Sequence, residues 1–404
     1  MRIFAGLLIA LVAFTIRARA EDAVSRGRYL AILGDCAGCH TREHGPAYAG
    51  GLPFQAQFGT VHSTNITPDR KTGIGSWTAA QFYRALHEGI AADGHHLYPA
   101  FPYVYFSRIS RQDSDGLFAF LQTLTPVNQP PTPNRLIFPF NIRAGLIFWN
   151  WLYLPKVAPK IDPAQSAVWK RGEYIVNGLG HCGGCHTPKD TLFGDVTTKA
   201  LTGGVVDNWY AANLTGNPHA GLGRWRHDDV VRFLATGRNK YATAAGSMQE
   251  KVTLSTSHMT DQDRAAIAAY LKSLAADRRQ MPHTAPPAIM AEGQAIFVAQ
   301  CQGCHQSPGE PDQFGAGPLP DYPKLAGDTL ILGRDPTTVV RIILQGAESP
   351  VTPNEKTTYS MPAFATLSDG EIAAVATYIR NSWGNRADPV TSRAVTAMRA
   401  QVSE

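Results

Sequence analysis

A short pattern, Cys-X-X-Cys-His, occurs three times in this chain and strongly limits what the chain can fold into. The copies lie at 36–40, 182–186 and 301–305, and together they use all six cysteines. In each copy, two thiols one helical turn apart can bond to the vinyl groups of a haem, and the next histidine can ligate its iron. The pattern predicts three covalently bound haem c groups, held by Cys36, Cys39, His40, Cys182, Cys185, His186, Cys301, Cys304 and His305.

Paired cysteines have two other common uses. A lone Cys-X-X-Cys pair could be a thioredoxin-like redox centre, and two pairs could share a zinc ion. Neither use needs a histidine at the next position. A zinc site would also have to pool ligands from motifs more than a hundred residues apart. Haem c attachment accounts for every residue of the pattern.

The amino terminus predicts export. An apolar run over 3–16 follows Arg2 and ends at Ala18-Arg19-Ala20, a small-X-small cleavage pattern. We therefore expect residues 1–20 to be a cleaved signal peptide, which suits a haem that is attached outside the cytoplasm. The leader contains three arginines, so its loss lowers the formal net charge from +5 to +2. No basic patch indicates nucleic-acid binding.

Each motif lies between two recurring helical patterns. A glycine stands in the helix before each motif, and an aromatic residue stands in a helix that closes each repeat. The pairs are Gly27 with Phe120, Gly172 with Tyr270, and Gly293 with Tyr378, and the closing helices begin at Ser110, Thr260 and Ser368. Cytochrome c domains generally close with an aromatic residue packed on such a glycine, and the sequence resembles that family three times. We expect a mainly α protein with three tandem cytochrome c-like domains.

A middle helix recurs with fixed spacing. An arginine precedes a glycine by five residues in all three repeats, at Arg84, Arg232 and Arg341, and the glycines are expected to cap the helix ends. The first two repeats also share Asn65 with Asn213 and Trp77 with Trp225. The tryptophans could be core residues, or their indole N–H groups could reach a haem propionate.

These patterns predict the domain limits. The signal peptide covers 1–20, and the three cytochrome c domains cover 21–135, 160–280 and 289–383. An apolar and aromatic linker covers 136–159, a proline-rich linker covers 281–288, and 384–404 forms a carboxyl-terminal tail.

The first linker is unusually apolar. Residues 136–156 include Trp149, Trp151 and Tyr153, but Pro139 and Arg143 interrupt the stretch, which is too short and broken to span a bilayer. Burial between domains, burial against a partner subunit and insertion at a membrane interface are all compatible with this composition.

Methionine commonly provides the second axial ligand of the iron in cytochromes. Met361 lies fifteen residues after the helix-ending Gly346, and Met248 lies eleven after Gly237. We predict them as distal ligands of the third and second haems. Met259 is a rival for the second haem, but it directly precedes a predicted helix cap.

The first repeat has no such methionine. Phe101 occupies the corresponding position, and no methionine occurs between Met1 and Met248. His95 and His96 stand just upstream, and we assign His96 as the distal ligand. His95, a methionine from another domain, and a five-coordinate haem are the alternatives.

Taken together, these residues make the chain resemble the triheme cytochrome c subunits of bacterial membrane-associated dehydrogenases over its whole mature length. The resemblance rests on the three haem motifs and on residues 65–69, 73–77, 138–143 and 378–385. It implies an electron-transfer subunit without catalytic residues of its own. Its partners would be a dehydrogenase catalytic subunit, ubiquinone or a terminal oxidase, and the periplasmic surface of the cytoplasmic membrane, where it would be peripheral.

The resemblance also bears on the class of that catalytic subunit. Many relatives have a methionine at the position of Phe101, and it ligates the first haem. The segment 98–103 of this chain looks more like cytochromes paired with molybdenum hydroxylase-type dehydrogenases, which favours an aldehyde- or N-heterocycle-oxidising partner. The alternatives are a quinoprotein alcohol dehydrogenase or a flavoprotein sugar or sugar-acid dehydrogenase, a free periplasmic shuttle, and a peroxidase-like enzyme that uses an open first haem.

Overall fold

Helices are the main regular structure of the described residues and recur around the three haem motifs. The computed structural model describes residues 21–56, 58–156, 162–277, 282–305, 322 and 324–402. The predicted signal peptide and the boundaries at 159–160 and 280–281 lie outside these residues, and the three-domain division stays a prediction. The mainly α fold class is confirmed.

The helices fall into three groups and one connecting helix. The first group contains α1 (21–33), α2 (Cys36–His40), α3 (Ala79–Glu88), α4 (Tyr103–Phe106) and α5 (Arg111–Leu121). The connecting helix is α6 (Gly145–Tyr153). The second group contains α7 (Ala167–Asn177), α8 (Gly183–His186), α9 (His227–Thr236), α10 (Ser247–Leu254) and α11 (Asp261–Ser273). The third contains α12 (Pro287–Gln300), α13 (Thr337–Gln345), α14 (Asp369–Asn381) and α15 (Ser392–Val402).

Short antiparallel strands complete each group. In the first, β1 (Pro53–Ala56), β2 (Gly59–His62) and β3 (Arg135–Leu136) form one sheet in that order, with Phe54 opposite Val61 and Gly59 opposite Leu136. In the second, β4 (Gly204–Val206) pairs with β5 (Trp209–Ala211). In the third, β6 (Ala347–Glu348) pairs with β7 (Ser360–Met361).

The predicted crossing of the first and last helices is confirmed in all three repeats. A Cβ atom at Gly27 would lie 1.9 Å from the carbonyl oxygen of Gly116, and one at Gly172 would lie 1.9 Å from that of Ala266. At Gly293 the distance to the carbonyl oxygen of Ala374 would be 2.2 Å. Only glycine permits such contact between two helix backbones. The aromatic residues Phe120, Tyr270 and Tyr378 are the next neighbours of these glycines.

An ion pair reinforces this crossing in the first two repeats. Ser110 and Thr260 cap α5 and α11 by accepting a hydrogen bond from the backbone N–H of Asp113 and Asp263. The side chains of these aspartates turn to α1 and α7, where Arg26 and Arg171 lie within 2.6 and 2.7 Å. In the third repeat, Ser368 and Glu371 instead form the complete capping box.

The described chain divides into two compact units. One contains residues 21–156 and Asn177–His181, and the other contains 162–176 and the described residues from Cys182 onward. In the second unit, α15 packs into the same core as the third repeat, because Val395 and Met398 are buried with Val375 and Ile379. The segment after 384 therefore contributes to the core.

The apolar stretch 136–156 belongs to the first unit. Leu136 lies in β3, and Leu146 of α6 is buried, but most of its large apolar side chains are exposed: Ile137, Phe138, Ile142, Ile147, Phe148, Trp151 and Leu152. Phe138 is 77% exposed and Trp151 is 60% exposed. Among the described residues, no helix is long and apolar enough to cross a membrane.

Candidate haem-binding sites

The first two motifs share one local geometry. Cys36–His40 forms the single turn α2, and α8 holds Cys185 and His186 in the same way. The Nδ1 atom of His40 lies 2.6 Å from the carbonyl oxygen of Thr64, and Nδ1 of His186 lies 2.6 Å from that of Ala212. With its proton on Nδ1 bonded to a carbonyl, an imidazole keeps Nε2 available for iron.

The asparagines noted in the sequence hold these carbonyl groups in place. Asn65 Oδ1 accepts the N–H of Thr67 at 2.9 Å, and Asn213 Oδ1 accepts that of Thr215 at 2.7 Å. Both asparagines are buried. Each one fixes the turn directly after the carbonyl that orients the proximal histidine. The repeated spacing identified the residues, but it did not reveal this role.

A glycine backbone completes the same arrangement, and the sequence reasoning missed it. Gly50 donates its N–H to the carbonyl oxygen of His40 at 2.7 Å, and Gly203 does so to His186 at 2.9 Å. A Cβ atom at Gly50 would lie 2.4 Å from the carbonyl carbon of Thr64. The chain therefore closes tightly around the histidine only where this residue is glycine.

Burial sets the protonation states of these groups. It lowers the pKa of His40 and of His186, although the hydrogen bond to the carbonyl acts in the opposite direction. Neutral imidazole is the form that ligates a metal. Burial also raises the pKa of Cys182 and of Cys301 to about 11, so both free thiols are uncharged at neutral pH.

The third motif opens into a cavity. Cys301, Cys304 and His305 line one part of it, and Met361 lines another. Much of the remaining wall is apolar and includes Leu325, Ile331, Val339, Ile343 and Phe364. The space between these walls has a volume of about 190 Å³.

The residues that line this cavity fit haem c. It combines two thiols, a proximal histidine and a thioether with apolar walls, which is the donor set of a six-coordinate cytochrome haem. Met361 reaches the cavity because β7 pairs with β6 directly after Gly346, with Ala347 opposite Met361. Counting from the helix-ending glycine thus identified a methionine that faces the same cavity as the haem motif.

At the second site, Met248 lies half-buried in the first turn of α10. Lys251 follows one turn later, and its charge acts on the sulfurs of Cys182 and Cys185. The helix α10 therefore lies near the second haem motif. Met259 is buried in front of α11, as a packing residue would be.

Trp225 also fits a haem at the second site. Its side chain is 5% exposed and packs against Phe233 and Tyr241, yet its indole Nε1 has no hydrogen-bond acceptor among the described residues. A buried indole N–H normally has a partner. A propionate of a bound haem would provide one.

At the first site, His96 contacts the connecting helix. Its Nδ1 atom lies 3.3 Å from Nδ2 of Asn150, and its carbonyl oxygen accepts a hydrogen bond from Arg143 at 2.6 Å. The hydroxyl of the buried Tyr103 donates to Oδ1 of the same asparagine at 2.5 Å. His95 instead pairs with Asp93 at 2.6 Å. Nothing in the sequence pattern indicated that α6 would join the residues of this loop.

Known cytochromes match this chain closely. The sequence model of the family described as Cytochrome c matches residues 170–275 and 290–383. The cytochrome c subunit of the quinone alcohol dehydrogenase of Gluconacetobacter polyoxogenes is 38% identical over 426 residues, which cover 98% of this chain and 89% of the relative. The gluconate 2-dehydrogenase cytochrome c subunit of Pantoea cypripedii is 37% identical over 424 residues, which cover 99% of this chain and 95% of the relative.

A third relative is a nicotinate dehydrogenase subunit of Pseudomonas putida. It is 38% identical over 392 residues, which cover 94% of this chain but 32% of that longer protein. Covalently bound haem c is the cofactor of this family, and electron transfer is its role. Matched from end to end by such relatives, the chain belongs to the family of dehydrogenase cytochrome c subunits.

Proposed function

We propose that this chain binds three haem c groups and carries electrons from the catalytic subunit of a periplasmic dehydrogenase to ubiquinone or a terminal oxidase. The observation that carries the proposal is the cavity shared by Cys301, Cys304, His305 and Met361. The matching histidine-to-carbonyl hydrogen bonds of His40 and His186 support equivalent sites at the other two motifs.

Bound haem c supplies reversible one-electron chemistry at its iron. The residues of this chain hold, orient and shield that group. The six cysteines would hold the macrocycles, and His40, His186 and His305 would each supply a nitrogen ligand for iron. Met361 would supply the sulfur ligand at the third site, and Met248 would supply it at the second. Apolar walls would exclude water, and the buried indole N–H of Trp225, which has no acceptor among the described residues, would donate a hydrogen bond to a propionate.

The first site differs, and His96 is its proposed distal ligand. In the present arrangement Asn150 donates to Nδ1 of His96, so a neutral ring has its proton on Nε2. Ligation requires the other tautomer. If the amide of Asn150 turns, its oxygen accepts from Nδ1 and its nitrogen donates to the hydroxyl of Tyr103. Ligation by His96 would therefore need this turn of Asn150, which also gives up the hydrogen bond from Nδ2 to the carbonyl oxygen of Glu88 at 3.3 Å.

The catalytic partner is proposed to be of the molybdenum hydroxylase type, oxidising an aldehyde or an N-heterocycle. The support for this choice is the resemblance of segment 98–103, in which Phe101 stands at the position of the expected methionine and packs against Phe106 with ring centroids 5.4 Å apart. Overall identity does not separate the partner classes, because alcohol, gluconate, fructose and nicotinate dehydrogenase relatives all match at 35–38%.

Purification of the native complex tests this proposal. We expect a molybdenum-containing subunit to co-purify, and aldehyde or N-heterocycle substrate to reduce the haems of the complex. A quinoprotein or flavoprotein subunit in its place would assign the chain to the alternative dehydrogenases. Peroxide turnover by the isolated chain, with no co-purifying dehydrogenase, would contradict the electron-transfer role.

The chain is also proposed to lie on the periplasmic face of the cytoplasmic membrane, attached through residues 136–156. The exposed side chains of this stretch form an apolar surface of the kind that marks an interaction site. Phe148 and Trp151 stack with ring centroids 5.8 Å apart, and Lys156 lies 5.0 Å from the ring of Trp151. A basic residue beside an exposed tryptophan suits the lipid headgroup region.

A charge-matched pair of variants tests the membrane surface. Phe148→Asp with Trp151→Asp should move the chain from lipid vesicles into solution, because burial of each side chain contributes about 1.5–3 kcal/mol. Leu192→Asp with Leu254→Asp adds the same charge at two exposed leucines elsewhere, and this variant should stay bound. Equal vesicle binding by both variants would contradict membrane attachment. If Phe148→Asp with Trp151→Asp still binds vesicles but no longer co-purifies with the dehydrogenase, the stretch binds the partner subunit.

A further inference from the structure

The third haem cavity is walled partly by the second repeat. Besides Cys301, Cys304, His305 and Met361, its lining includes Arg238, Thr243, Ala244 and Ala245. These four residues lie in one turn between α9 and α10, closed by hydrogen bonds from Ala244 N to Gly237 O at 2.7 Å and from Asn239 N to Ala242 O at 3.0 Å. Met248, the proposed ligand of the second haem, follows three residues later. One short segment therefore serves two haem sites.

Arg238 is the charged residue of this turn that lines the cavity, and it contacts the hairpin 347–361, which consists of β6, β7 and the residues between them. Its guanidinium lies 2.7 Å from Oε2 of Glu355 and 4.9 Å from the ring centre of Tyr359, two residues before Met361. The side chains of Arg238 and Glu355 are 13% and 21% exposed. The hydrogen bond from Arg238 lowers the pKa of Glu355, which keeps this carboxylate ionised at neutral pH.

Other contacts fix the hairpin against the second repeat at the same place. Asn354 Nδ2 donates to the carbonyl oxygen of Ala235 at 3.3 Å. A Cβ atom at Gly237 would lie 2.1 Å from Cγ of Pro350, so the end of α9 and the hairpin meet as closely as glycine permits. Arg238 directly follows this contact. Its position on the cavity wall is thus determined by packing on both sides.

We propose that Arg238 is a positioning residue of the third haem, holding the Met361 hairpin over the cavity and raising the reduction potential of the iron with its charge. This role rests on the proposed function, since it requires a haem at the third motif. A guanidinium stays charged at any working pH. A positive charge in a poorly hydrated wall favours the ferrous state, which is one charge less positive than the ferric state. Glu355 acts in the opposite direction and partly offsets it.

The test is a redox titration of the full chain with all its haems, in which visible spectroscopy monitors haem reduction. The wave of the third haem is the one lost when Cys301 and Cys304 are both replaced by alanine. Arg238→Met leaves Glu355 alone and should lower the potential of that wave, whereas Glu355→Gln leaves Arg238 alone and should raise it. Arg238→Lys keeps the charge and should restore most of the potential. A shift of 59 mV corresponds to a tenfold change in the one-electron equilibrium.

Arg399→Met is the matched control. Arg399 of α15 pairs with Asp369 of α14 at 2.8 Å and does not line the cavity of the third haem, so this variant should leave the wave in place. Potentials that do not move in either the Arg238 or the Glu355 variant, or that move in the same direction, would overturn the role. A wild-type haem count below three would instead refute the proposed function.

Discussion

Replacing Gly172 by alanine tests whether the helix crossing determines the fold of a repeat. The new Cβ would lie 1.9 Å from the carbonyl oxygen of Ala266 and 2.9 Å from Cβ of Tyr270. An ordinary contact begins near 3.4 Å, so α7 and α11 would have to separate by more than 1 Å. Neither neighbouring atom can rotate away, because one belongs to the backbone and the other is directly attached to it.

The expected loss is the difference between two effects. Overpacking of a close contact costs about 1–3 kcal/mol, and more where backbone must move. Alanine regains about 1 kcal/mol over glycine within a helix. Because backbone must move here, the upper end of that range applies, and we expect a net destabilisation of about 2 kcal/mol. The urea midpoint of the haem-loaded chain, measured by circular dichroism, should fall accordingly. Gly145→Ala in α6 is the control, since nothing lies within 4 Å of its Cβ position. A midpoint for Gly172→Ala at or above that of Gly145→Ala would refute the reasoning.

Three other predictions concern the sites. Burial raises the pKa of Asp328 to about 7, so its stabilising contribution is complete below about pH 4 and is lost as pH rises through about 7. The melting temperature of Asp328→Asn should therefore rise relative to that of the wild type between pH 4 and pH 8, and a constant difference between the two over this range would contradict the prediction. Asn213→Ala should lower the free energy of unfolding by about 1–3 kcal/mol, because the buried N–H of Thr215 loses its acceptor. An unchanged urea midpoint would show that this hydrogen bond does not stabilise the turn. His96→Ala should open the first haem to carbon monoxide, whereas His95→Ala, whose ring pairs with Asp93, should not; carbon monoxide binding to the wild type would indicate a five-coordinate haem.

Local regularities made much of the fold predictable. A glycine recurred in α1, α7 and α12, eight to ten residues before each haem motif, and its close contact with the last helix of the repeat was found as expected. The helix-ending Gly89 and Gly237 have positive φ angles of 64° and 75°. Such features depend on neighbours within one repeat, so the sequence pattern records them directly.

The features that escaped the sequence depend on the backbone or on distant contacts. The carbonyl groups of Thr64 and Ala212 orient the proximal histidines, and a carbonyl has no residue type to recognise. Arg238 has no counterpart in the other repeats, and its partner Glu355 lies 117 residues away in the chain. Asn150 joins Tyr103 across 47 residues. Neither pairing follows from periodicity, since nothing local fixes which surfaces meet.

The number of haems on the mature chain decides whether all three motifs serve electron transfer. A pyridine haemochrome assay, combined with the intact mass of the exported protein, counts the covalent haems on each chain. We expect three haems and no free thiol among the six cysteines. Two or fewer haems on fully matured chains, or a motif whose thiols still react with an alkylating reagent, would show that the three-haem assignment is wrong.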